Sequence, residues 1–299
     1  MPYISFLAIC IFWGMNFLLM KKSLLYFTPV NVAALRLAGG GLFLLFIYLA
    51  RKQRWPFTTN QIWGLILLTL IGYAWPFGIQ PYLIEHCGSG FIGMMVSFVP
   101  LVTLIVSIPM LGTHPTARQL IGVIGGLIFL SLLFADGLQH HITAVNFILA
   151  LTVPMGYAIC NTYIKRHFAG VPALPLTLCC LGAAFLLLAP FAVARPVQEA
   201  AITADLPLAI TCLVVLGVVG TGVSLVAFTR LVQTKGPLFA GMVAYIIPII
   251  AILLGYFDGE KVSELQLVAM AGILVMEGLV QWPTPKDRQV AAKEKSLDR

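Results

Sequence analysis

Ten long runs of apolar residues, with little between them, set what this chain can become. They cover about 3–20, 31–50, 61–84, 89–111, 117–135, 143–164, 173–194, 206–229, 237–257 and 262–282. A helix needs roughly 20 apolar residues to cross the hydrocarbon of a bilayer, because each residue advances about 1.5 Å. Strands of a membrane barrel would alternate apolar with polar residues, and these runs do not. Water is a poor solvent for such a chain: 60% of its 299 residues are hydrophobic and only 10% are charged, against about 25% charged in a soluble domain. The expectation is an all-α integral membrane protein with ten transmembrane helices. The first run has no basic leader and no small-x-small cleavage site after it, so it is read as a helix rather than a signal peptide.

Charge gives the expected orientation. An even number of spans puts both termini on one side. That side holds Arg51, Lys52, Arg54, Arg118, Lys165, Arg166, Arg230, Lys235, Lys286, Arg288, Lys293, Lys295 and Arg299, and the other holds only Lys21, Lys22, Arg195 and Lys261. Basic residues accumulate in cytoplasmic loops, so both termini are expected in the cytoplasm. The net charge of +7 follows from this asymmetry and calls for no nucleic-acid partner. The mixed-sign tail 286–299 reads as a polar end beside anionic headgroups. Trp55, Trp63 and Trp282 fall at expected boundaries, where tryptophan anchors a span.

One stretch is written twice. GSGFIGMMVSFVPL (88–101) matches GPLFAGMVAYIIPI (236–249) at Gly88/Gly236, Phe91/Phe239, Gly93/Gly241, Met94/Met242 and Pro100/Pro248. After a one-residue shift the echo continues with Gly112/Gly259, Gln119/Gln266 and Gly125/Gly272, and a weaker one pairs Ala8 and Gly14 with Ala150 and Gly156. The copies are spans 4 and 9, an odd number of crossings apart, so they run in opposite directions. The chain reads as two inverted five-helix repeats, 1–138 and 139–285, followed by the tail 286–299. Inverted halves can exchange conformations, which is how many carriers expose a midplane site to each side in turn.

These residues resemble a known family. WGMNF (13–17), ALRL (34–37), the glycines and Pro100 of span 4, Pro248 of span 9 and LGVVGTGVSLVAFTRLV (216–232) are similar to the drug/metabolite transporter superfamily, most closely its EamA group. The resemblance implies ten helices in two repeats and movement of small metabolites across the bacterial cytoplasmic (inner) membrane. Such repeats often place Glu after Gly at the ends of spans 4 and 9. Here the second half keeps Gly259-Glu260 while the first has Gly112-Thr113.

Polar groups inside hydrocarbon are costly and face other helices or a wet cavity. Arg36 has two readings: it holds an anionic group of a substrate, or it snorkels to the interface and caps carbonyls. Glu277 near the end of span 10 is either structural or a proton carrier, and Glu85 at the end of span 3 has the same two readings. Faces at helical spacing offer Trp13 and Asn16; Tyr73, Pro76 and Gln80; Tyr157 and Asn161; and Gly217, Thr221, Ser224 and Phe228. Ser97 and Tyr245 occupy equivalent repeat positions. These faces suit an aromatic-walled substrate cavity, or else bonds between helices. Pro100 and Pro248, with Gly93 and Gly241, are expected to form kinks that act as gates, or static bends for packing.

The six cysteines show no metal spacing and read as small packing residues. The histidines lie at loops or span ends, and no span contains two acids, so an intramembrane enzyme is not expected. No cofactor or metal is expected. The expected function is secondary transport without ATP, most simply export of amino acids or similar small metabolites, with facilitated or weakly coupled movement favoured. The alternative is a channel or a structural membrane subunit. The expected partners are a small-molecule substrate and the lipid bilayer, with the chain working as a monomer or, alternatively, a homodimer.

Overall fold

The computed structural model describes residues 2–52, 54–112, 115–139, 142–194 and 205–281. The tail 286–299, Trp282, Arg195, Thr113, His114 and the His140-His141 pair lie outside the described residues. Ten helical segments follow the ten apolar runs: α1 (Pro2–Leu24), α2 (Pro29–Ala50), α3 (Thr59–Cys87), α4 (Ser89–Leu111), α5 (Ala117–Gln139), α6 (Ala144–His167), α7 (Ala173–Val193), α8 (Leu206–Lys235), α9 (Pro237–Phe257) and α10 (Glu264–Gln281). Among the described residues the first nine are long and apolar enough to cross a membrane on their own. The tenth has 18 residues and packs extensively along α5.

Helix ends are written locally. Thr28, Thr143 and Asp205 accept hydrogen bonds from the backbone N–H groups of Asn31, Asn146 and Leu208, capping α2, α6 and α8. Gly88 and Gly236 join α3 to α4 and α8 to α9 at φ 84° ψ 155° and φ 92° ψ 163°. That region is close to glycine-only, so each glycine lets one helix stop and the next turn back without strain. Several helices outrun their apolar runs. In α1 the last turn includes Lys21 and Lys22, and α5 reaches past Asp136, which places this acid inside a helix.

Packing repeats the duplication. In the first half α1 lies on α9, and in the second α6 lies on α4; α2 crosses α8 as α7 crosses α3. The pairs α2–α7, α4–α9 and α5–α10 join like elements across the halves. These principal packings pair off when the two five-helix units are exchanged, as an in-plane two-fold axis requires. Large apolar side chains such as Leu42, Phe46, Leu186 and Phe191 point outward, while Asn16, Arg36, Gln80, Asn161 and Glu277 point in. That distribution suits a protein whose solvent is lipid. Trp55 and Trp63 at the start of α3 are exposed.

Two features were not evident from the sequence. Each half carries a widened π-helical turn, Leu68–Ala74 in α3 and Leu216–Val223 in α8, at equivalent repeat positions. The interruption in α9 falls at Met242, between Gly241 and the long segment holding Pro248, and α4 passes through a 3-10 turn at Val96–Phe98 just before Pro100.

Candidate functional site

The wide turn of α8 builds the site. Adding a residue to a helical turn shifts the backbone bonds and frees carbonyls. The Thr221 hydroxyl turns back to the Leu216 carbonyl at 2.8 Å, and the Ser224 hydroxyl turns back to the Val219 carbonyl at 2.7 Å. The Gly220 carbonyl instead accepts from two side chains of α1, Trp13 Nε1 at 3.0 Å and Asn16 Nδ2 at 3.2 Å. A β-carbon at Gly220 would overlap the Asn16 side-chain oxygen, so only glycine lets α1 and α8 meet in this way.

Beside this contact lies a cavity of about 840 Å³, counted with its open mouth, walled by helices of both halves. Its wall includes Trp13, Asn16, Phe17 and Met20 of α1, Arg36 of α2, Tyr73, Phe77 and Gln80 of α3, and Val96 and Val99 of α4. From the second half come Tyr157, Cys160 and Asn161 of α6, Gly220, Leu225, Phe228 and Thr229 of α8, and Ala240, Gly241, Ala244 and Ile247 of α9. Sites for small molecules have mostly apolar walls with a few placed polar groups, and this wall has that make-up.

Arg36 is the charge of this cavity. It is 3% exposed, so it does not snorkel to an interface. Its Nε donates to Thr221 Oγ1 at 3.3 Å, its Nη1 reaches Gln80 Oε1 at 3.4 Å and Met20 Sδ at 3.0 Å, and its guanidinium lies 4.5 Å over the Phe77 ring. All of these partners are neutral. Trp13 packs against Phe228 with ring centres 4.6 Å apart, and Phe77 lies between Tyr73 and Tyr157. The Asn16 side-chain oxygen is buried with no hydrogen-bond partner among the described residues.

Of the residues singled out from sequence, Trp13, Asn16, Arg36, Tyr73, Gln80, Tyr157, Asn161 and Phe228 line this cavity together, as does Gly241. Thr221, Ser224, Ser97 and Tyr245 do not. Thr221 braces Arg36 from behind, Ser224 serves its own helix, and the Ser97 hydroxyl bonds the Met94 carbonyl. On α9 the cavity face is Ala240, Ala244 and Ile247, and Tyr245 is turned a further 100° away. Gly93, Pro100 and Pro248 also stand off the cavity. Among the lining residues not foreseen are Phe77, Met20, Gly220, Leu225 and Thr229. Counting 3.6 residues per turn straight through the wide turn of α8 selects 217, 221, 224 and 228, whereas the cavity is met by 220, 225, 228 and 229.

On the face opposite the termini an ionic latch joins the halves. Glu260, just past α9, accepts from the Ser89 N–H at 2.9 Å, the Ser89 hydroxyl at 2.6 Å and the Gly90 N–H at 2.8 Å, and Lys21 Nζ lies 2.8 Å away. It thereby satisfies the exposed donors at the start of α4, where the helix dipole also favours an anion. Asp258 pairs with Lys21 at 2.7 Å and with Lys22. Burial alone would raise the pKa of Glu260, but the Lys21, Ser89 and Gly90 donors outweigh it and hold it below the ordinary carboxylate value; for Asp258 the two lysines likewise outweigh burial. Near the other face, Lys165 and Arg166 reach the carbonyls of Gln233 and Met110.

A test follows from the sign of these shifts. A carboxylate with a depressed folded pKa stabilises the fold above its unfolded pKa, and that contribution is lost as the pH falls through the folded value. Purified protein is expected to melt at progressively lower temperature on acidification below the ordinary carboxylate range. Glu260→Gln should lose about 1–3 kcal/mol at neutral pH and show a flatter acid limb. An unaltered acid limb in Glu260→Gln would remove this carboxylate from the latch.

Inverted halves, a cavity between them and an ionic latch that joins them define the class: a polytopic helical membrane protein of transporter architecture. The chain belongs to the EamA-like transporter family, whose model matches residues 1–135 and 145–278. Over 192 residues it is 29% identical to an uncharacterized transporter, YvbV, of Bacillus subtilis (strain 168), a match that spans 60% of this chain and 60% of that one. It is 25% identical to the uncharacterized inner membrane transporter YedA of Escherichia coli (strain K12), over 90% of this chain and 86% of the relative. An uncharacterized transporter of Archaeoglobus fulgidus is 23% identical over 89% and 92%. A solved crystal structure shares the fold with a TM-score of 0.64 and 19% identity, over 93% of this chain and 96% of the other.

Proposed function

We propose that the protein is a secondary transporter, independent of ATP, that exports amino acids or similar small metabolites by alternating access. The observation that carries this reading is the pairing, in one aromatic-walled cavity, of a buried guanidinium that has only neutral partners with a free buried amide oxygen. A substrate carboxylate would complete Arg36 as a charge-assisted hydrogen bond. The ammonium of an amino acid would give Asn16 the donor it lacks, and an apolar side chain would lie against Phe17, Phe77 and Phe228. In this reading Trp13, Tyr73, Gln80, Tyr157 and Asn161 shape the pocket and Thr221 aims Arg36. Gly93, Gly241, Pro100 and Pro248 serve the movement of α4 and α9.

The repeat symmetry supports alternating access. The Lys21–Glu260 latch closes one mouth, and breaking it while the halves exchange conformations would open that mouth. Relatives named as transporters, one of them as an inner membrane transporter, support placement in the bacterial inner membrane, and the basic loops favour cytoplasmic termini with the latch outside. The chain is assigned as a working monomer built from repeats 1–138 and 139–285. The test is a metabolite screen of cells overexpressing the protein against cells carrying Pro248→Leu. A compound bearing a carboxylate is expected to accumulate outside only in the former. Ohmic conductance in bilayers without saturable flux would favour a channel instead.

A further inference from the structure

Glu277 of α10 is completely buried, and neither of its carboxylate oxygens has a hydrogen-bond partner among the described residues. Across from it, the hydroxyl of Tyr245 on α9 is also buried and unpartnered, and the two groups are electrostatic neighbours. Neither residue lines the substrate cavity. The surroundings hold little to balance a charge. Across α4, the run 89–111 has no ionisable side chain, and α9 contributes Tyr245 here, with Tyr256, Asp258 and Glu260 toward or beyond its far end. From α5 come Arg118 in the first turn and Asp136 near the other end, which accepts from Ser263 and Gln266 at 2.6 and 2.7 Å. Gln119, next to Arg118, reaches the Val280 carbonyl at 3.2 Å, which sets Arg118 nearer the end of α10 than Glu277. No ion pair to Glu277 exists among the described residues.

An isolated carboxylate in such a setting costs several kcal/mol, and the neutral acid far less. The neighbouring Tyr245 phenol supplies no counter-charge. A cation such as sodium would need several oxygen ligands at once, and one carboxyl with one phenol provides too few. The proton is the ligand that fits.

We propose that Glu277 is a proton-binding site separate from the substrate cavity, coupled to it through α9. That helix presents Ala240, Ala244 and Ile247 to the cavity and Tyr245 to Glu277, so a movement that changes access to one face disturbs the other. When α9 moves and water enters, the carboxyl gives one proton to water and becomes a carboxylate; when the interface closes, it takes one back. The coupling rests on the transport reading above, whereas the proton site itself does not.

The test uses the full chain in phosphatidylethanolamine–phosphatidylglycerol vesicles. Infrared titration of the wild type is expected to show the carbonyl band of a protonated carboxyl persisting at neutral pH, absent in Glu277→Gln and retained in Glu277→Asp. Tyr245→Phe should shift it. Identical carboxyl titrations in wild type and Glu277→Gln overturn the site, and an unshifted band in Tyr245→Phe overturns the pairing. In a second arm the vesicles are given labelled neutral amino acids with and without an imposed pH gradient. Glu277→Gln is expected to lose gradient-driven accumulation at least tenfold relative to counterflow in the same vesicles; if it keeps that accumulation, the coupling is overturned. Should the wild type move none of these amino acids, the transport reading fails, and the infrared arm alone still decides the proton site.

Discussion

Replacing Arg36 with alanine is expected to abolish saturable movement of carboxylate-bearing substrates while leaving a folded, membrane-inserted protein. Truncating one side of a buried, charged hydrogen-bonded pair costs about 2–5 kcal/mol, which is roughly a thirty-fold or greater loss of affinity. The resting protein should lose much less, because the partners of Arg36 are neutral: Thr221 keeps its bond to the Leu216 carbonyl, and Gln80 and Met20 border the cavity. Arg36→Lys keeps the charge but not the planar fork that spans Thr221 and Gln80. It should retain weak transport with a raised KM. The measurement is counterflow of labelled amino acids in proteoliposomes, with thermal melting as the control for folding. Native rates in Arg36→Ala would place the substrate elsewhere.

Gly220→Ala should have the second largest effect, from one methyl group. Its β-carbon would overlap the Asn16 side-chain oxygen and lie 2.9 Å from the Asn16 amide carbon, so α1 and α8 must part or Asn16 must leave the Gly220 carbonyl. Overpacking of this kind costs about 1–3 kcal/mol. Transport should fall by more than that stability loss implies, because Asn16 and Trp13 are both set by the same carbonyl. The double variant Asn16→Ala/Gly220→Ala removes the overlap. It should recover melting temperature without recovering transport, since the free amide oxygen is gone. If the single variant melts and transports normally, the close approach of α1 and α8 has no functional weight. Additivity of the two substitutions in melting would equally rule out the direct clash.

Much of the fold was legible because lipid imposes a simple rule: a span must be long, apolar and helical. That rule located all ten helices, and the paired glycines at 88 and 236 exposed the duplication because they occupy a backbone region that other residues avoid. Side-chain chemistry also brought eight of the polar and aromatic candidates to one cavity, from Trp13 in α1 to Phe228 in α8. Where helical spacing failed, the cause was geometric. In α8 the wide turn adds a residue, so Thr221 and Ser224 swing behind the wall and Gly220, Leu225 and Thr229 come forward. The glycines at 217, 220 and 222 were the visible hint. Tyr245 and Ser97 share a repeat position in the sequence, but equivalence says nothing about which face of a helix meets a cavity.

By itself the sequence determined the solvent this protein folds in, the number of its helices and their arrangement as two inverted copies, because each is carried by local hydrophobicity or by a repeated backbone requirement. Tertiary structure alone decided that Glu260 caps a helix 171 residues earlier in the chain, that Arg36 meets neutral partners only, and that Glu277 and Tyr245 are both buried without hydrogen-bond partners away from the cavity. Those are matters of which helix faces come together across the bundle. Hydrophobicity fixes how far a helix reaches into the membrane, but lipid-like interiors look alike from every side. Rotation about the helix axis is therefore settled only by packing against neighbours.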